Sequence, residues 1–194
     1  MELYYYLKRE KRDSETLFRH SLTKYIETTE LGIQAGEAFM TEIARTKHGK
    51  PYLPSFPGIH FSISHSGDCW GCLLSNENVG LDIEDVVAGS LDSQDRIIRI
   101  AERFFAEDEI DFIKTNQSDI SIIDRFYDIW TKKEAYIKFT GEGLGAGLNT
   151  FSVISGLNSS MIFERVELGE GIVTVCCYEQ NHRASGSIIL HPQD

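Results

Sequence analysis

The alternation of apolar and polar positions predicts two successive groups of helices and strands. In the first group, a short strand over residues 2–7 precedes a helix that begins at Asp13, because apolar residues then recur at helical spacing. Three short apolar runs follow, at residues 59–64, 69–75 and 79–84, and turn residues separate them. Short strands joined by turns are typical of an antiparallel meander.

The second group begins after an interruption at Ala88–Gly89. Its pattern predicts three helices and then a second meander, with helices over 92–104, 107–115 and 121–140 and strands over 151–154, 161–167, 171–178 and 186–190. Because helix and strands occur in the same order twice, we predict an α+β fold built as a pseudo-twofold pair of similar halves, 1–88 and 89–194. We expect an antiparallel sheet packed on a helix in each half, with the active site in the cleft between them.

Composition and charge narrow the class of protein. The 194 residues are 41% hydrophobic and carry a net charge of −11, so a core is expected while general nucleic-acid binding is disfavoured. No apolar run reaches the roughly 20 residues that span a bilayer, and a charged amino terminus argues against a secretory signal. We therefore expect a cytoplasmic protein with no membrane partner. Cys69 and Cys72 form a C-x-x-C, but strand alternation would place them on opposite faces, as plain reduced thiols.

Two carboxylates stand out in the run at 79–84. Asp82 and Glu84 are two residues apart and so share one face of the strand, while Leu81 and Ile83 face the core. Neighbouring carboxylates repel each other. The pair is therefore either the solvated face of an edge strand or the binding site of a divalent cation, and oxygen ligands suit Mg²⁺ or Mn²⁺.

The predicted helix over 121–140 carries a second candidate group. Trp130, Glu134 and Lys138 recur every four residues and so lie on one helix face. They form either a surface ion pair beside a core tryptophan or a third carboxylate with a lysine for phosphate oxygens. Together with Asp82 and Glu84, they predict a site for a metal and a pyrophosphate.

Two further segments add candidate ligand contacts. Phe61–Ser66 is a strand that ends in small polar residues and His65, where side chains can reach a ligand. Gly49–Pro51 reads as an exposed basic turn, which can hold a phosphate or line a base.

Taken in order, Gly49–Pro51, Phe61–Ser66, Gly80–Glu84 and Trp130–Lys138 resemble the motifs of the 4′-phosphopantetheinyl transferase superfamily. The chain length is similar to that of its larger, surfactin-synthetase-activating branch, whose members are pseudo-dimers. The resemblance implies Mg²⁺-dependent transfer of 4′-phosphopantetheine from coenzyme A to a serine of an apo acyl or peptidyl carrier protein, with release of adenosine 3′,5′-bisphosphate. We accordingly expect a monomer that serves fatty acid, polyketide or nonribosomal peptide synthesis.

The resemblance also implies residue roles. Asp82, Glu84 and Glu134 become metal ligands, Glu134 also becomes the base for the carrier serine, and Lys138 becomes the pyrophosphate contact. The remaining implied coenzyme A contacts are Arg19, His48, Gly49, Lys50, Ser64 and His65.

Two other functions stay open at this stage. An inactive relative would only bind carrier proteins or coenzyme A, and a metal-dependent pyrophosphatase would use the same carboxylates without a carrier. For the carrier itself we expect a local apolar patch with a few basic residues near the cleft, including Lys132 and Lys133.

Overall fold

The structure is a computed structural model that describes residues 1–8, 10, 12–29, 31–86, 93–115, 120–143, 147–157, 159–180 and 188–193. Its elements in chain order are β1 (Glu2–Tyr6), α1 (Ser14–Thr29), α2 (Ala35–Met40), β2 (Ala44–Arg45), β3 (Pro51–Tyr52), β4 (His60–Ser66), β5 (Cys69–Ser75), β6 (Gly80–Asp85), α3 (Gln94–Phe104), α4 (Glu107–Lys114), α5 (Ile122–Thr140), a 3₁₀ helix (Leu148–Thr150), β7 (Met161–Val166), β8 (Ile172–Glu179) and β9 (Ile189–Pro192).

The first sheet has the strand order β4-β5-β1-β9. β5 is antiparallel to both of its neighbours, whereas β9 runs parallel to β1. α1 covers one face of this sheet and begins as predicted, because Asp13 caps it by accepting a hydrogen bond from the Thr16 amide at 2.9 Å. Leu17 and Leu22 of α1 pack in one buried cluster with Trp70 of β5.

The second sheet has the order β6-β8-β7 and is antiparallel throughout. One of its faces packs on α5, through Ala135 and Val175. The other face packs on the first sheet, where Leu81 and Ile83 meet Leu73. The α+β fold with antiparallel sheets packed on helices is thereby confirmed, as four successive layers: α1, first sheet, second sheet and α5.

Each predicted meander is confirmed for two neighbouring antiparallel strands, β4 with β5 and β7 with β8, but is wrong for one further strand. The run at 79–84 does not extend β4 and β5, because β6 pairs with β8 in the second sheet. The final strand does not join β7 and β8, because β9 pairs with β1 in the first sheet. Alternation in sequence shows which face of a strand is apolar, but the contacts that bury that face decide which strand it joins.

The predicted strand at 151–154 is also wrong. A 3₁₀ helix precedes it and the segment itself forms turns. Lys133 supplies the reason, since its buried ammonium donates to the carbonyls of Leu148 at 2.8 Å and Phe151 at 2.6 Å. The predicted boundary at Ala88–Gly89, and residues 186 and 187 of the last predicted strand, lie outside the described residues. The division into halves 1–88 and 89–194 therefore stays a prediction.

The predicted placement of the C-x-x-C pair is confirmed. Cys69 lies in the core between the two sheets, whereas Cys72 lies on the α1 face of the first sheet. All four cysteines are buried and free, and burial raises their pKa values.

Candidate functional site

The site begins at the seam between β4 and β6. These strands are not paired by a ladder of backbone hydrogen bonds. Instead, serine hydroxyls of β4 accept hydrogen bonds from backbone amides of β6. Ser62 Oγ accepts from the Leu81 amide at 2.9 Å, and Ser64 Oγ accepts from the Ile83 amide at 3.1 Å. Because the residue numbers of these bonded pairs increase together, β6 runs parallel to β4. The face of β6 that carries Asp82 and Glu84 lies beside the serines.

Helix α5 approaches β6 closely at Gly80. A Cβ atom at this position would lie only 2.0 Å from the Ala135 carbonyl oxygen and 2.7 Å from the Phe139 amide nitrogen. Only glycine allows the helix backbone to come this near. The close approach brings Lys138 of α5 within 2.6 Å of Asp82.

Asp82 is the most buried carboxylate of the site, with 4% of the residue exposed. Its Oδ1 accepts from Lys138 Nζ at 2.6 Å and from Ser64 Oγ at 3.0 Å. Its Oδ2 is buried and accepts no hydrogen bond within the described part of the chain. Burial raises the pKa of Asp82, while the Lys138 ammonium opposes the rise. A buried, bare carboxylate oxygen is costly and is the kind of group that a cation satisfies.

Glu84 is held at both of its oxygens. Trp130 Nε1 donates to Oε1 at 2.8 Å, and Ser66 Oγ donates to Oε2 at 3.0 Å. Burial and the neighbouring Asp82 charge raise the pKa of Glu84. The sequence places Trp130 and Glu134 on one helix face, and the structure adds that Trp130 reaches the second acidic residue of β6.

Glu134 completes the group of carboxylates from the helix side. Burial and then the Asp82 charge raise the pKa of Glu134 to about 7. In the part of the chain that the structure describes, its carboxylate accepts no hydrogen bond, and Lys138 pairs with Asp82 instead. The alternative of a surface ion pair between Glu134 and Lys138 is therefore wrong.

The three carboxylates fit a divalent cation in donor type and in the bare Oδ2 of Asp82. They do not close into a ligand cluster, since no group of three His, Cys, Asp or Glu side chains among the described residues is placed to hold a metal. Their role as metal ligands stays a prediction.

A pocket of about 360 Å³ opens beside Lys138, between the β2–β3 ribbon, β4 and the end of α5. Of the predicted coenzyme A contacts, it is lined by His48, Gly49, Lys50, His65 and Lys138. Gly49 adopts a positive φ of 92°, which explains a glycine in this turn.

Lys50 differs from its prediction as an exposed basic residue. Its Nζ donates to the Phe139 carbonyl at 2.7 Å and to Asn78 Oδ1, so the charge caps the carboxyl end of α5. Burial lowers the pKa of Lys50 to about 8. Its aliphatic stem, rather than its charge, is available to the pocket.

Arg19 and Ser64 are not among the residues that line the pocket. Arg19 bonds to Glu15 at 2.7 Å and to the Thr41 carbonyl at 3.0 Å, so it ties α1 to the end of α2. Ser64 already uses its donor and both acceptor positions on Asp82, Lys138 and the Ile83 amide.

Sequence reasoning missed Arg45. This arginine lies on β2, lines the pocket and donates from Nη1 to the Gly49 carbonyl at 2.9 Å. Its position four residues before Gly49, in the same basic segment as His48, was the available signal.

Comparison with models of known protein families identifies the family of this chain. The family model described as ACPS, 4′-phosphopantetheinyl transferase superfamily, matches residues 78–185, a stretch that holds Asp82, Glu84, Glu134 and Lys138. The chain belongs to the 4′-phosphopantetheinyl transferase superfamily. The match spans β6 through β8 and so includes the whole second sheet and α5.

Individual superfamily members from bacilli are similar to this chain. A 4′-phosphopantetheinyl transferase from Bacillus subtilis is 39% identical over 107 residues, which cover 55% of this chain and 44% of the relative. The transferase gsp from Aneurinibacillus migulanus is 33% identical over 143 residues, covering 69% and 56% respectively. The transferase Sfp from Bacillus subtilis strain 168 is 38% identical over 107 residues, covering 55% and 44%. The chain thus spans about half the length of the curated relatives it matches.

The superfamily motif on α5 contains one residue whose predicted role is wrong. Lys133 was expected in a basic docking patch, but its side chain is fully buried and pairs with Glu109 at 2.8 Å. It therefore has no exposed charge to offer a carrier. Lys132, its neighbour, is partly exposed and pairs with Asp128.

Among the described residues, no helix combines the length and apolar character needed to cross a bilayer.

Proposed function

We propose that this chain transfers the 4′-phosphopantetheine group of coenzyme A to a serine of an apo acyl or peptidyl carrier protein. The proposed reaction is Mg²⁺-dependent and releases adenosine 3′,5′-bisphosphate. Cytoplasmic action as a monomer is part of the same proposal. The observation that carries it is the double role of Lys138, which lines the pocket and also donates to Asp82 at 2.6 Å.

The pocket suits the nucleotide end of the donor. Arg45 and His65 provide polar groups at its wall, while the Lys50 stem and Pro51 provide apolar surface for a base. The net charge of −11 means that an anionic donor depends on such local groups.

Lys138 suits the pyrophosphate. Its ammonium has three donors, and Asp82 and Ser64 use two of them, at 2.6 and 2.8 Å. None of the described residues accepts from the third donor, which can therefore bind a phosphate oxygen of the leaving group. Asp82, Glu84 and Glu134 would hold a Mg²⁺ or Mn²⁺ ion, which would supply positive charge to the pyrophosphate.

Glu134 suits the acceptor. In the proposed step, the carrier serine oxygen forms a bond to the β-phosphorus while the bond from that phosphorus to the bridging oxygen breaks. The bridging oxygen leaves with the adenosine bisphosphate, and the serine proton passes to the Glu134 carboxylate. This carboxylate is suited to accept it because no hydrogen bond from the described residues occupies its oxygens.

The test is to incubate the chain with coenzyme A, Mg²⁺ and several apo carrier proteins, and to weigh the carriers by mass spectrometry. We expect a gain of one phosphopantetheinyl group on at least one carrier. Asp82→Asn and Glu134→Gln should each lower the transfer rate by about 10² or more. Glu37→Gln removes an exposed carboxylate on α2 and serves as the matched control, with an unchanged rate.

Three results would contradict the proposal. No carrier gains mass, or either site variant keeps a near-normal rate, or coenzyme A is consumed equally fast without a carrier. The last result would instead identify a pyrophosphatase.

A further inference from the structure

We propose that Ser66 is a positioning residue that restrains the Glu84 carboxylate and so favours its binding of a divalent cation. The inference rests on the proposed function, because it concerns the cation that the transfer would use. Ser66 ends β4, and it belongs to a series of three serines, Ser62, Ser64 and Ser66, that share one face of this strand.

The third serine departs from the pattern of the first two. Ser62 and Ser64 accept hydrogen bonds from the backbone amides of Leu81 and Ile83. Ser66 instead donates its hydroxyl hydrogen to the side chain of Glu84, at 3.0 Å from Oε2. The first two serines thus join β4 to β6, whereas the third orients a carboxylate.

Glu84 is restrained at two points because its two donors reach different oxygens. Trp130 Nε1 lies 2.8 Å from Oε1, on the opposite oxygen from Ser66. The terminal torsion of a glutamate is broad, so a single donor would leave the carboxylate plane free to turn. Two donors from two separate elements, β4 and α5, fix that plane. Each oxygen keeps a lone pair for a further ligand, since each accepts one of these two bonds.

The other two carboxylates are held differently. Among the described residues, Asp82 has both of its side-chain donors on Oδ1 and none on Oδ2, and Glu134 has no donor. Glu84 is therefore the carboxylate whose orientation is set before a cation arrives. Outer hydrogen bonds of this kind typically change metal affinity about 10- to 100-fold.

The test measures Mn²⁺ binding directly, on the full chain without coenzyme A, from the electron paramagnetic resonance signal of free Mn²⁺. We expect Ser66→Ala to raise the Mn²⁺ Kd about tenfold. Ser66→Thr keeps the hydroxyl and should bind within about twofold of the unsubstituted chain. Ser62→Ala removes a hydroxyl from the same strand face and should lower the unfolding temperature while leaving the Mn²⁺ Kd unchanged.

Equal Kd values for Ser66→Ala and the unsubstituted chain would overturn the inference. An equal loss of affinity in Ser62→Ala would also overturn it, because the effect would then come from general damage to β4. If Ser62→Ala does not fold, the contrast between Ser66→Ala and Ser66→Thr still decides. Failure of the unsubstituted chain to bind Mn²⁺ overturns the inference as well. Intact Mn²⁺ binding with no mass gain on any carrier would leave Ser66 in its role and refute the proposed transfer alone.

Discussion

Replacing Lys133 by methionine removes one buried charge from α5 and keeps most of the side-chain volume. The Lys133 side chain is 0% exposed, as is that of its partner Glu109. Its Nζ lies 2.8 Å from Glu109 Oε2, 2.8 Å from the Leu148 carbonyl and 2.6 Å from the Phe151 carbonyl. The ammonium also lies 4.1 Å from the centre of the Phe151 ring. One side chain thus joins α4, α5 and the 3₁₀ segment.

The expected loss of stability follows from what the substitution leaves behind. Removing one partner of a buried ion pair costs about 3–5 kcal/mol, because the other charge stays buried without compensation. Glu109 keeps its bonds from the Ala106 amide at 2.9 Å and the Val153 amide at 2.8 Å, which limits the penalty on the carboxylate. The Leu148 and Phe151 carbonyls lose their donor, which adds a cost. We expect the free energy of unfolding to fall by about 4 kcal/mol.

Urea unfolding followed by circular dichroism measures this loss. For a slope of about 2 kcal/mol per molar urea, the midpoint of Lys133→Met should fall by about 2 M. Lys132→Met is the matched control, since it removes the neighbouring lysine of the same helix. The Lys132 and Asp128 side chains are 28% and 24% exposed, and such a pair contributes about 0–1 kcal/mol. Its midpoint should fall by no more than about 0.5 M.

Similar midpoints for the two lysine variants would refute this reasoning. The reasoning would also be refuted if Lys133→Met keeps the urea midpoint of the unsubstituted chain but raises the Michaelis constant for a carrier protein. In that case Lys133 would be exposed in solution and would serve docking, which is the role that its burial excludes.

Two further predictions concern the approach of α5 and the pocket. Gly80→Ala should lower the free energy of unfolding by about 3 kcal/mol or more in urea titration, since its Cβ would meet helix backbone at 2.0 Å. Gly36→Ala, in α2 with nothing within 4 Å, should instead be neutral or stabilising by up to about 1 kcal/mol, and equal effects would contradict the close approach. Arg45→Ala should raise the Michaelis constant for coenzyme A about tenfold in the carrier assay, because a charged hydrogen bond is worth about 1.5–3 kcal/mol. Arg19→Ala should leave that constant within twofold, and the reverse order of effects would restore Arg19 as the phosphate contact.

Local features of the fold were predictable because short-range physics decides them. Asp13 caps α1, and Gly141, with a φ of 72°, ends α5, as their residue types indicated. Alternation also correctly placed Leu81 and Ile83 in the core. The partner of β6 was not predictable, since the same alternation is compatible with several neighbours.

The candidate site also combines features that the sequence predicted with features that it did not predict. The spacing of Asp82, Glu84, Glu134 and Lys138 predicted two groups, each on one face, because strand and helix periods are properties of the local backbone. The meeting of Lys138 with Asp82 required the contact of Gly80 with Ala135 and Phe139, which lie more than 50 residues further along the chain. The contact of Arg19 with the Thr41 carbonyl is likewise one between separate elements, which the periodicity of α1 does not encode.

The sequence by itself determined the residue types of the site, the faces on which they lie and the superfamily to which the chain belongs. Tertiary structure alone decided that Lys138 pairs with Asp82, that Lys50 caps α5 and that Lys133 is buried beside Glu109. The physical reason is that a lysine is compatible with water, a carboxylate or a carbonyl. Which of these it meets depends on packing between distant segments, and the periodicity of one segment does not encode that packing.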